Sequence, residues 1–333
     1  MSWWKRQRPS VPPASDAPSP ARVELIPGQL AVRIYQPDLA TQHGTIACWT
    51  YVTEGLQRLH QPEVSLTLLR QSTSPPPQEP IHFFSMLHQL AQQGRIVQAG
   101  GWTQFGARKF FDRHLAYMPA HAIATVSMAP DTIMAISVTD DELLAVQAFG
   151  ILRVMARLGQ QARYYPCPPW LDPSRPGIVF AQTRQDSLLA RLPCVYSPQV
   201  RILRRHDQLM LRVAPASRSH LAEQLNQFAE NIPIALLTDL DAEADGCLVW
   251  EPGQTEPNAI TPPKSQNAQI GGCFVACVPE QETTGGRLVE DGFVVFFTAG
   301  EWHAVRQALH DGQPIQVAGT DGQLPLRVEW DRR

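Results

Sequence analysis

The chain has 333 residues, which is more than one hydrophobic core usually organises, so its length favours two domains. Hydrophobic residues make up 44% of the sequence and charged residues 18%, a balance typical of folded globular domains and unlike that of disordered chains. The formal net charge of −3 gives no case for nucleic-acid binding, and no apolar run approaches the roughly 20 residues of a membrane span.

The amino-terminal segment and the cysteines indicate a cytoplasmic protein. Residues 1–22 lack the apolar core of a secretory signal, and most of residues 9–20 are Pro, Ser or Ala, so we expect a flexible leader there. The six cysteines are scattered without the spacing of a disulfide framework, which suits a reducing compartment.

The first predicted domain covers residues 23–190 and combines strands with helices. Alternating apolar and polar positions predict strands, whereas apolar residues at helical spacing predict helices. Strands are expected at residues 23–35, 64–70, 123–128 and 132–138, with an extended segment at 96–105. Helices are expected at residues 49–59 and 81–91, and a longer helix begins at a capping box formed by Thr139 and Glu142 and ends at Gly159.

The second predicted domain covers residues 191–333 and repeats this pattern. Strands are expected at residues 209–213, 234–237, 248–250, 293–297 and 324–330. Helices are expected at residues 221–228 and after a second capping box, formed by Thr298 and Glu301. The predicted fold class is therefore α+β, with two α+β domains, each a mixed or antiparallel sheet packed with helices, and an inter-domain cleft between them.

Motifs for metal binding are weak. Cys273 and Cys277 lie four residues apart, but zinc needs further ligands at matching spacing and none is nearby. A strand at that point would place both thiols on one apolar face, so we interpret them as buried residues. The acidic residues within 239–245 lack the glycine and the final glutamate of an EF-hand loop, and we interpret them as a solvated turn. The sequence therefore predicts no metal and no cofactor.

Motifs for catalysis are absent from the sequence. It contains no GxSxG nucleophile elbow, no P-loop, and no GxGxxG after a strand, so we predict that the protein is not an enzyme. Two alternatives stay open. One is a hydrolase whose site is assembled from dispersed residues such as His114, Asp141 and His303. The other is a scaffold or assembly subunit tethered by the Trp-Trp-Lys-Arg leader.

The order of several segments resembles the suppressor of fused family. The resemblance starts with Trp49-Thr-Tyr-Val-Thr-Glu-Gly-Leu56 and continues through residues 63–70, a proline break and residues 80–91. Further on, residues 136–144 are similar to the family's strand that leads into a helix with a Thr-x-Glu-Glu-Leu start. The second half is similar more faintly, at residues 209–225 and 293–309.

This resemblance implies a non-enzymatic binding protein of two α+β domains. Animal members clamp an extended peptide between the domains by β-strand addition, in which strand edges supply backbone hydrogen bonds. Bacterial relatives include immunity proteins that neutralise toxins, and the compact chain is more similar to those. The resemblance thus implies a protein-binding module that sequesters or neutralises a protein or extended-peptide partner through the cleft, with bacterial toxin immunity as the specific role.

The same resemblance points to one edge as the partner-binding site. Its predicted residues are Ile96, Val97, Gly100, Gly101, Trp102 and Phe105. Where the animal proteins place an aspartate after a glycine, this chain has Gly101, so the animal ligand is not expected to carry over. Trp102 fits either of two interpretations, an aromatic anchor for a partner or an aromatic residue packed in the core.

Overall fold

The computed structural model describes residues 20–41, 44–70, 75–106, 110–178, 187–197, 199–239, 244–251, 254–262, 265–266, 268–320 and 322–331. The predicted leader lies outside these residues except for its last three positions, and the first strand already begins at Ala21. Residues 179–186, next to the predicted domain boundary, also lie outside them. The division at residue 190 stays a prediction.

The described part of the amino-terminal half forms a nine-stranded sheet with helices. In chain order its elements are β1 (Ala21–Ile26), β2 (Leu30–Tyr35), β3 (Asp38–Thr41), β4 (Gly44–Glu54), β5 (Val64–Leu69), α1 (Glu79–Gln92), β6 (Trp102–Thr103), β7 (His114–Pro119), β8 (Ile133–Val138), α2 (Asp140–Phe149), α3 (Ile151–Ala162) and β9 (Trp170–Leu171). The strand order is β1-β2-β4-β5-β8-β7-β6, with β3 attached to β4 and β9 to β5. Because β5 runs parallel to β8 and β9 while the other pairs are antiparallel, the sheet is mixed.

The described part of the carboxy-terminal half forms two further sheets. In chain order its elements are β10 (Cys194–Tyr196), β11 (Val200–Arg205), β12 (Gln208–Val213), α4 (Arg218–Leu225), β13 (Ile234–Leu237), β14 (Gly246–Val249), β15 (Asn258–Ile260), β16 (Gln269–Gly272), β17 (Phe274–Val278), β18 (Gly285–Val289), β19 (Gly292–Phe296), α5 (Ala299–Asp311), β20 (Ile315–Val317) and β21 (Leu326–Trp330). The five-stranded sheet has the order β10-β13-β17-β19-β18, and the seven-stranded sheet has the order β15-β14-β16-β11-β12-β21-β20. The predicted α+β class is confirmed.

The predicted helix at residues 49–59 is wrong, since β4 occupies residues 44–54 and a short 3₁₀ helix follows at Leu56–Leu59. β4 lies between β2 and β5, and residues 48–53 are all buried. A strand that is buried on both faces shows no alternation, so its apolar residues also fit a helical period. Gly55 turns the chain with a φ of 117°, and a Cβ there would lie 2.1 Å from the Gln29 carbonyl oxygen.

The long helix predicted after Thr139 is interrupted. It divides at Gly150, which has a φ of 82° and a ψ of 159°, into α2 and α3. The predicted stop at Gly159 is also wrong, because α3 continues to Ala162. Gly159 instead allows a close approach, since a Cβ there would lie 2.3 Å from the Pro166 carbonyl oxygen. The helical spacing of apolar residues in this segment also predicts that Leu144 faces inward, but Leu144 is 62% exposed.

Two other segments that were predicted to be extended differ from the structure, one entirely and one in part. Residues 123–128 contain no strand, and the extended segment at 96–105 narrows to the two residues of β6. Both capping boxes are confirmed. The Thr139 hydroxyl accepts a hydrogen bond from the Glu142 amide, and the Glu142 carboxylate accepts one from the Thr139 amide; Thr298 and Glu301 repeat the arrangement at α5.

One hydrophobic cluster joins the two halves. The buried side chains of Leu152 and Met155 on α3 belong to the same cluster as Leu237, Phe274 and Val294 of the five-stranded sheet. Apolar burial of this kind contributes on the order of 25 cal/mol per Å². The two halves therefore pack against each other through buried apolar side chains at α3. None of the described helices is long and apolar enough to cross a membrane.

The two cysteines of the Cys273–Cys277 pair do not share a face. The chain bends at Cys273, just before β17 begins, so Cys273 lies in the cluster between the halves while Cys277 faces the core of the carboxy-terminal half. The single-face prediction is wrong because it assumed that the strand includes both residues. Burial raises the pKa of the Cys277 thiol to about 12, which keeps this group protonated and unreactive at neutral pH.

Candidate partner-binding edge

Strand β6 forms one end of the nine-stranded sheet. Its Trp102 lies opposite Ala116 and its Thr103 opposite Leu115, both on β7. The Tyr117 amide donates to the Gly101 carbonyl at 2.9 Å, so Trp102 occupies the alternate, non-hydrogen-bonded position of the ladder. The backbone N–H and C=O of Trp102 are therefore directed away from β7. An extended segment lying along β6 would find them available among the described residues.

The indole of Trp102 projects from this edge. It is 44% exposed, which makes it one of the few large hydrophobic side chains at the surface of the described chain. The interpretation of Trp102 as a core residue is therefore wrong. An exposed aromatic side chain beside open backbone hydrogen-bonding groups is what an anchor for a partner requires.

The glycine before this strand is in contact with the other half of the molecule. Gly100 has a φ of 83°, and a Cβ there would lie 2.0 Å from the ring of Tyr196 on β10. The Gly100 amide also donates to the Tyr117 carbonyl at 2.7 Å. Only glycine satisfies both the backbone conformation and this approach. The edge is thus built where the two halves touch.

Tyr196 is in turn fixed by a buried carboxylate. Its hydroxyl donates to Asp239 at 2.8 Å, and the Gln199 amide donates to the same carboxylate. Burial raises the pKa of Asp239 to about 6, although these hydrogen bonds act in the opposite direction.

The interpretation of the acidic residues within 239–245 as a solvated turn is wrong for Asp239, which is buried. It is also wrong for Asp245, whose carboxylate accepts hydrogen bonds from the Ala268 and Gln269 amides at 2.9 Å each. Residues 241 and 243 lie outside the described chain.

The other predicted edge residues attach the segment to the amino-terminal half. The backbone of Val97 exchanges two hydrogen bonds with the Gln61 side chain, at 2.8 and 3.0 Å. Phe105 packs against Phe83 and Phe110, with ring centroids 6.3 Å from each. Ile96 is half-buried. The open backbone groups of this segment therefore belong to Trp102, with Val97 and Phe105 as its attachments, and the binding of a partner at the six predicted residues stays a prediction.

A buried histidine that the motif analysis did not connect to the edge secures its far end. His114 is 2% exposed, and its Nδ1 accepts a hydrogen bond from the Phe105 amide at 3.1 Å. Its Nε2 therefore carries the hydrogen that is donated to Asp140 at 2.6 Å. No local sequence signal links these residues, because Phe105 reaches His114 through the pairing of β6 with β7, and Asp140 reaches it through the pairing of β7 with β8.

The residues named for a hydrolase have separate partners. His114 pairs with Asp140 and not with Asp141, whose side chain is exposed on α2. His303 is exposed on α5 and lies 3.1 Å from Glu230. Among the described residues, no group of three or more His, Cys, Asp or Glu side chains is arranged to hold a metal ion.

A Gly100→Ala variant tests the contact between the edge and Tyr196. We expect it to lower the free energy of unfolding by about 2 kcal/mol, because the methyl group meets the Tyr196 ring in a backbone conformation that already disfavours alanine. Urea denaturation measures this loss.

Gly94→Ala is the matched control for this variant. Gly94 has a similar φ of 75°, but nothing lies within 4 Å of the position that a Cβ would occupy there, so that substitution carries the backbone strain alone. In a Tyr196→Ala background, which removes the ring, adding Gly100→Ala should cost no more than Gly94→Ala does in the unaltered chain. Equal losses in the free energy of unfolding for Gly100→Ala and Gly94→Ala would show that the Tyr196 ring moves aside with no measurable loss of stability.

Comparisons with known proteins identify a family. Residues 128–325 match the family described as Smad anchor for receptor activation-like, C-terminal. Among solved structures, Drosophila Suppressor of Fused matches at 10% identity with a TM-score of 0.34, covering 91% of this chain and 89% of that one. A structure of the Sufu-Fu complex matches at 16% identity with a TM-score of 0.35, covering 44% of this chain and 78% of that one.

No curated protein matches the chain. The predicted resemblance to the suppressor of fused family is confirmed by the family match. Since the matched region spans more than half of the sequence, the chain belongs to the Smad anchor for receptor activation-like, C-terminal family.

Proposed function

We propose that this chain is a non-enzymatic protein-binding module that sequesters or neutralises a partner by receiving an extended segment of it along β6. The observation that carries the proposal is the open backbone of Trp102 beneath its exposed indole. Strand addition would supply backbone hydrogen bonds, and the indole would supply an apolar anchor.

The surroundings of the edge support binding without a large rearrangement. Gly100 packs on Tyr196, and the cluster around α3 joins the halves nearby in the fold. An edge that is already held in its bound conformation loses less conformational entropy when the partner docks. The edge therefore suits a partner segment that becomes ordered only when it binds.

The family description also supports a binding role. It names an anchor for a Smad protein, and anchoring is a matter of recognition and not of chemistry. The edge of this chain has its own chemistry, because its exposed side chain is the indole of Trp102 and the neighbouring Gly101 supplies no carboxylate. Apolar or aromatic side chains are the better match for such a surface.

The specific role that we propose is neutralisation of a bacterial toxin in the cytoplasm. It is supported by the compactness of the chain, which resembles that of bacterial immunity relatives, and by the six free cysteines, which suit a reducing compartment. The proposal predicts that a toxin gene lies beside the gene of this chain, and that expression of this chain rescues growth of cells that produce that toxin. Rescue that is lost on Trp102→Ala would tie immunity to the edge, whereas a lack of rescue by the unaltered chain would remove the immunity role alone.

The edge itself is tested with peptides selected from a random library on the full chain. For the tightest peptide, Trp102→Ala should weaken the dissociation constant about tenfold or more, equivalent to about 1.4 kcal/mol or more. Leu144→Ala is the matched control, because Leu144 is a similarly exposed apolar residue on α2, away from β6.

Strand addition also predicts how methylation of the same peptide affects its binding. Methylation of alternate peptide nitrogens should abolish binding in one register and spare it in the other, because only every second amide faces the strand. If Trp102→Ala and Leu144→Ala have the same effect, or if methylation is tolerated in both registers, β6 is not the binding edge.

A further inference from the structure

A groove opens between the two sheets of the carboxy-terminal half, separate from β6. Its volume is about 320 Å³, within the roughly 300–1,000 Å³ of ligand-sized pockets. Three of its lining residues form an apolar floor: Leu248 on β14, Ile270 on β16 and Phe293 on β19. The groove is neither part of the cluster that joins the halves nor part of the edge described above.

The strand registers explain why both sheets contribute side chains to this groove. Arg204 on β11 lies opposite Ile270, and Leu288 on β18 lies opposite Phe293. Because paired residues on neighbouring strands share a face, each sheet presents its own row of side chains to the groove. Leu288 is 37% exposed, so apolar surface remains uncovered at the mouth.

The rim of the groove is positively charged. Arg204 and His206 both line it, and the Arg204 Nε donates to the His206 carbonyl at 3.2 Å, which holds the guanidinium along the hairpin. Within the described chain, neither side chain forms an ion pair with a carboxylate. The nearby Asp245 is already engaged by the Ala268 and Gln269 amides. A ligand with negative charge complements this rim.

Two sheet edges flank the groove. β15 ends the seven-stranded sheet and β18 ends the five-stranded sheet in the described part of the chain. Gly286 on β18 is bridged to Leu324, but no described strand lies beside Arg287–Val289 on that side. An extended peptide can therefore add to β18 while its side chains enter the groove.

From this arrangement we propose that the groove binds an extended partner segment in which every second residue faces the groove, and in which these inward-facing residues are apolar except for one carboxylate. The apolar side chains enter between Leu248, Ile270 and Phe293, and the carboxylate pairs with Arg204 on the same face. The chain's own leader is a poorer occupant, because its Lys5, Arg6 and Arg8 carry the same charge as the rim. This groove is a second docking surface, independent of the edge at Trp102.

The test uses fluorescence anisotropy of the full chain with a labelled hexapeptide, Ile-Ser-Ile-Ser-Glu-Ser, whose isoleucines and glutamate lie on one face when it is extended. We expect saturable binding that Arg204→Glu weakens at least tenfold. Arg205→Glu is the matched control, because Arg205 is the next residue on β11, is exposed, and lies on the opposite face of that strand. Trp102→Ala should leave this binding unchanged, which separates the groove from the edge.

Three further probes give results that support or overturn the proposal. The hexapeptide Ile-Ser-Ile-Ser-Lys-Ser, which replaces the carboxylate with an ammonium group, should not bind. Decanoate that binds and is weakened by Arg204→Glu, while the acidic peptide does not bind, would assign the groove to small amphipathic anions. A synthetic peptide of residues 2–19 that displaces the acidic peptide would assign it to the leader. The absence of saturable binding, or equal weakening by Arg204→Glu and Arg205→Glu, would also overturn the proposal.

Discussion

Replacing Arg153 with methionine is expected to lower the free energy of unfolding by about 3–5 kcal/mol. The Arg153 side chain is 4% exposed, and its guanidinium donates to Asp291 at 2.8 and 2.5 Å, to Glu290 at 2.9 Å and to Ser187 at 2.9 Å. Asp291 is itself 1% exposed. The methionine would fill much of the same volume but would leave these buried carboxylates without their cation.

The electrostatics of this cluster explain the size of the effect. Burial by itself would lower the pKa of Arg153, but the carboxylate of Asp291 more than compensates and raises it above its usual value. The guanidinium also lies over the rings of Phe149, Trp250 and Phe274, at 5.3 to 5.8 Å from their centroids. Arg153 on α3 is thereby tied to the turn between β18 and β19, in the other half of the molecule.

Urea denaturation at neutral pH measures the expected loss. Arg327→Met is the control, because Arg327 is 49% exposed and its pairing with Glu329 should contribute no more than about 1 kcal/mol. Adding Asp291→Asn to Arg153→Met should recover part of the stability, since one of the unpaired charges is then removed. A loss no larger than that of the control would contradict the assignment of Arg153 as the main polar contact between the halves.

Local signals in the sequence predicted the parts of the fold that depend on a few neighbouring residues. Thr139 with Glu142 and Thr298 with Glu301 are three residues apart, so their capping boxes follow from short-range geometry. The strand at β12 was also predictable, because Leu209, Leu211 and Val213 are apolar at every second position. β4 was misjudged for the opposite reason: burial on both faces removed the alternation on which the prediction relied.

Contacts between distant positions were not predictable in the same way. Arg153 and Asp291 are 138 residues apart, and a single sequence carries no signal that pairs them. The same holds for Gly100 against Tyr196 and for His114 against Phe105. The edge was proposed from the family resemblance, but its open backbone follows only from the register of β6 on β7. The groove in the carboxy-terminal half had no local signal, since its walls come from two different sheets.

The Glu142→Gln variant has the second largest expected effect, a loss of about 2–4 kcal/mol in the free energy of unfolding at pH 7. Glu142 is fully buried, and Arg175 donates to both of its carboxylate oxygens at 2.7 Å. The amides of Thr139 and Ile178 also donate to it, each at 2.8 Å. Glutamine keeps the shape but loses the charge that Arg175 requires.

The pH dependence of this variant follows from the pKa of Glu142. Burial would raise that pKa, but the hydrogen bonds and charge of Arg175, with the two amides, outweigh it and lower the pKa below its ordinary value. A carboxyl whose pKa is lower in the folded state than in the unfolded state stabilises the fold above its unfolded pKa of about 4.3. That contribution is lost as the pH falls through the folded-state pKa, so the gap between the unaltered chain and Glu142→Gln should be full at pH 7 and narrow below about pH 4.

Glu301→Gln provides the matched comparison, because Glu301 closes the other capping box and, within the described chain, forms no ion pair with an arginine. Its loss should be about 1 kcal/mol, the usual contribution of a helix cap. The excess for Glu142→Gln over Glu301→Gln then measures the ion pair with Arg175, which ties the start of α2 to residues 175–178. Equal losses for the two variants at pH 7, 5 and 4 would mean that Glu142 acts only as a cap and that Arg175 adds nothing to the fold.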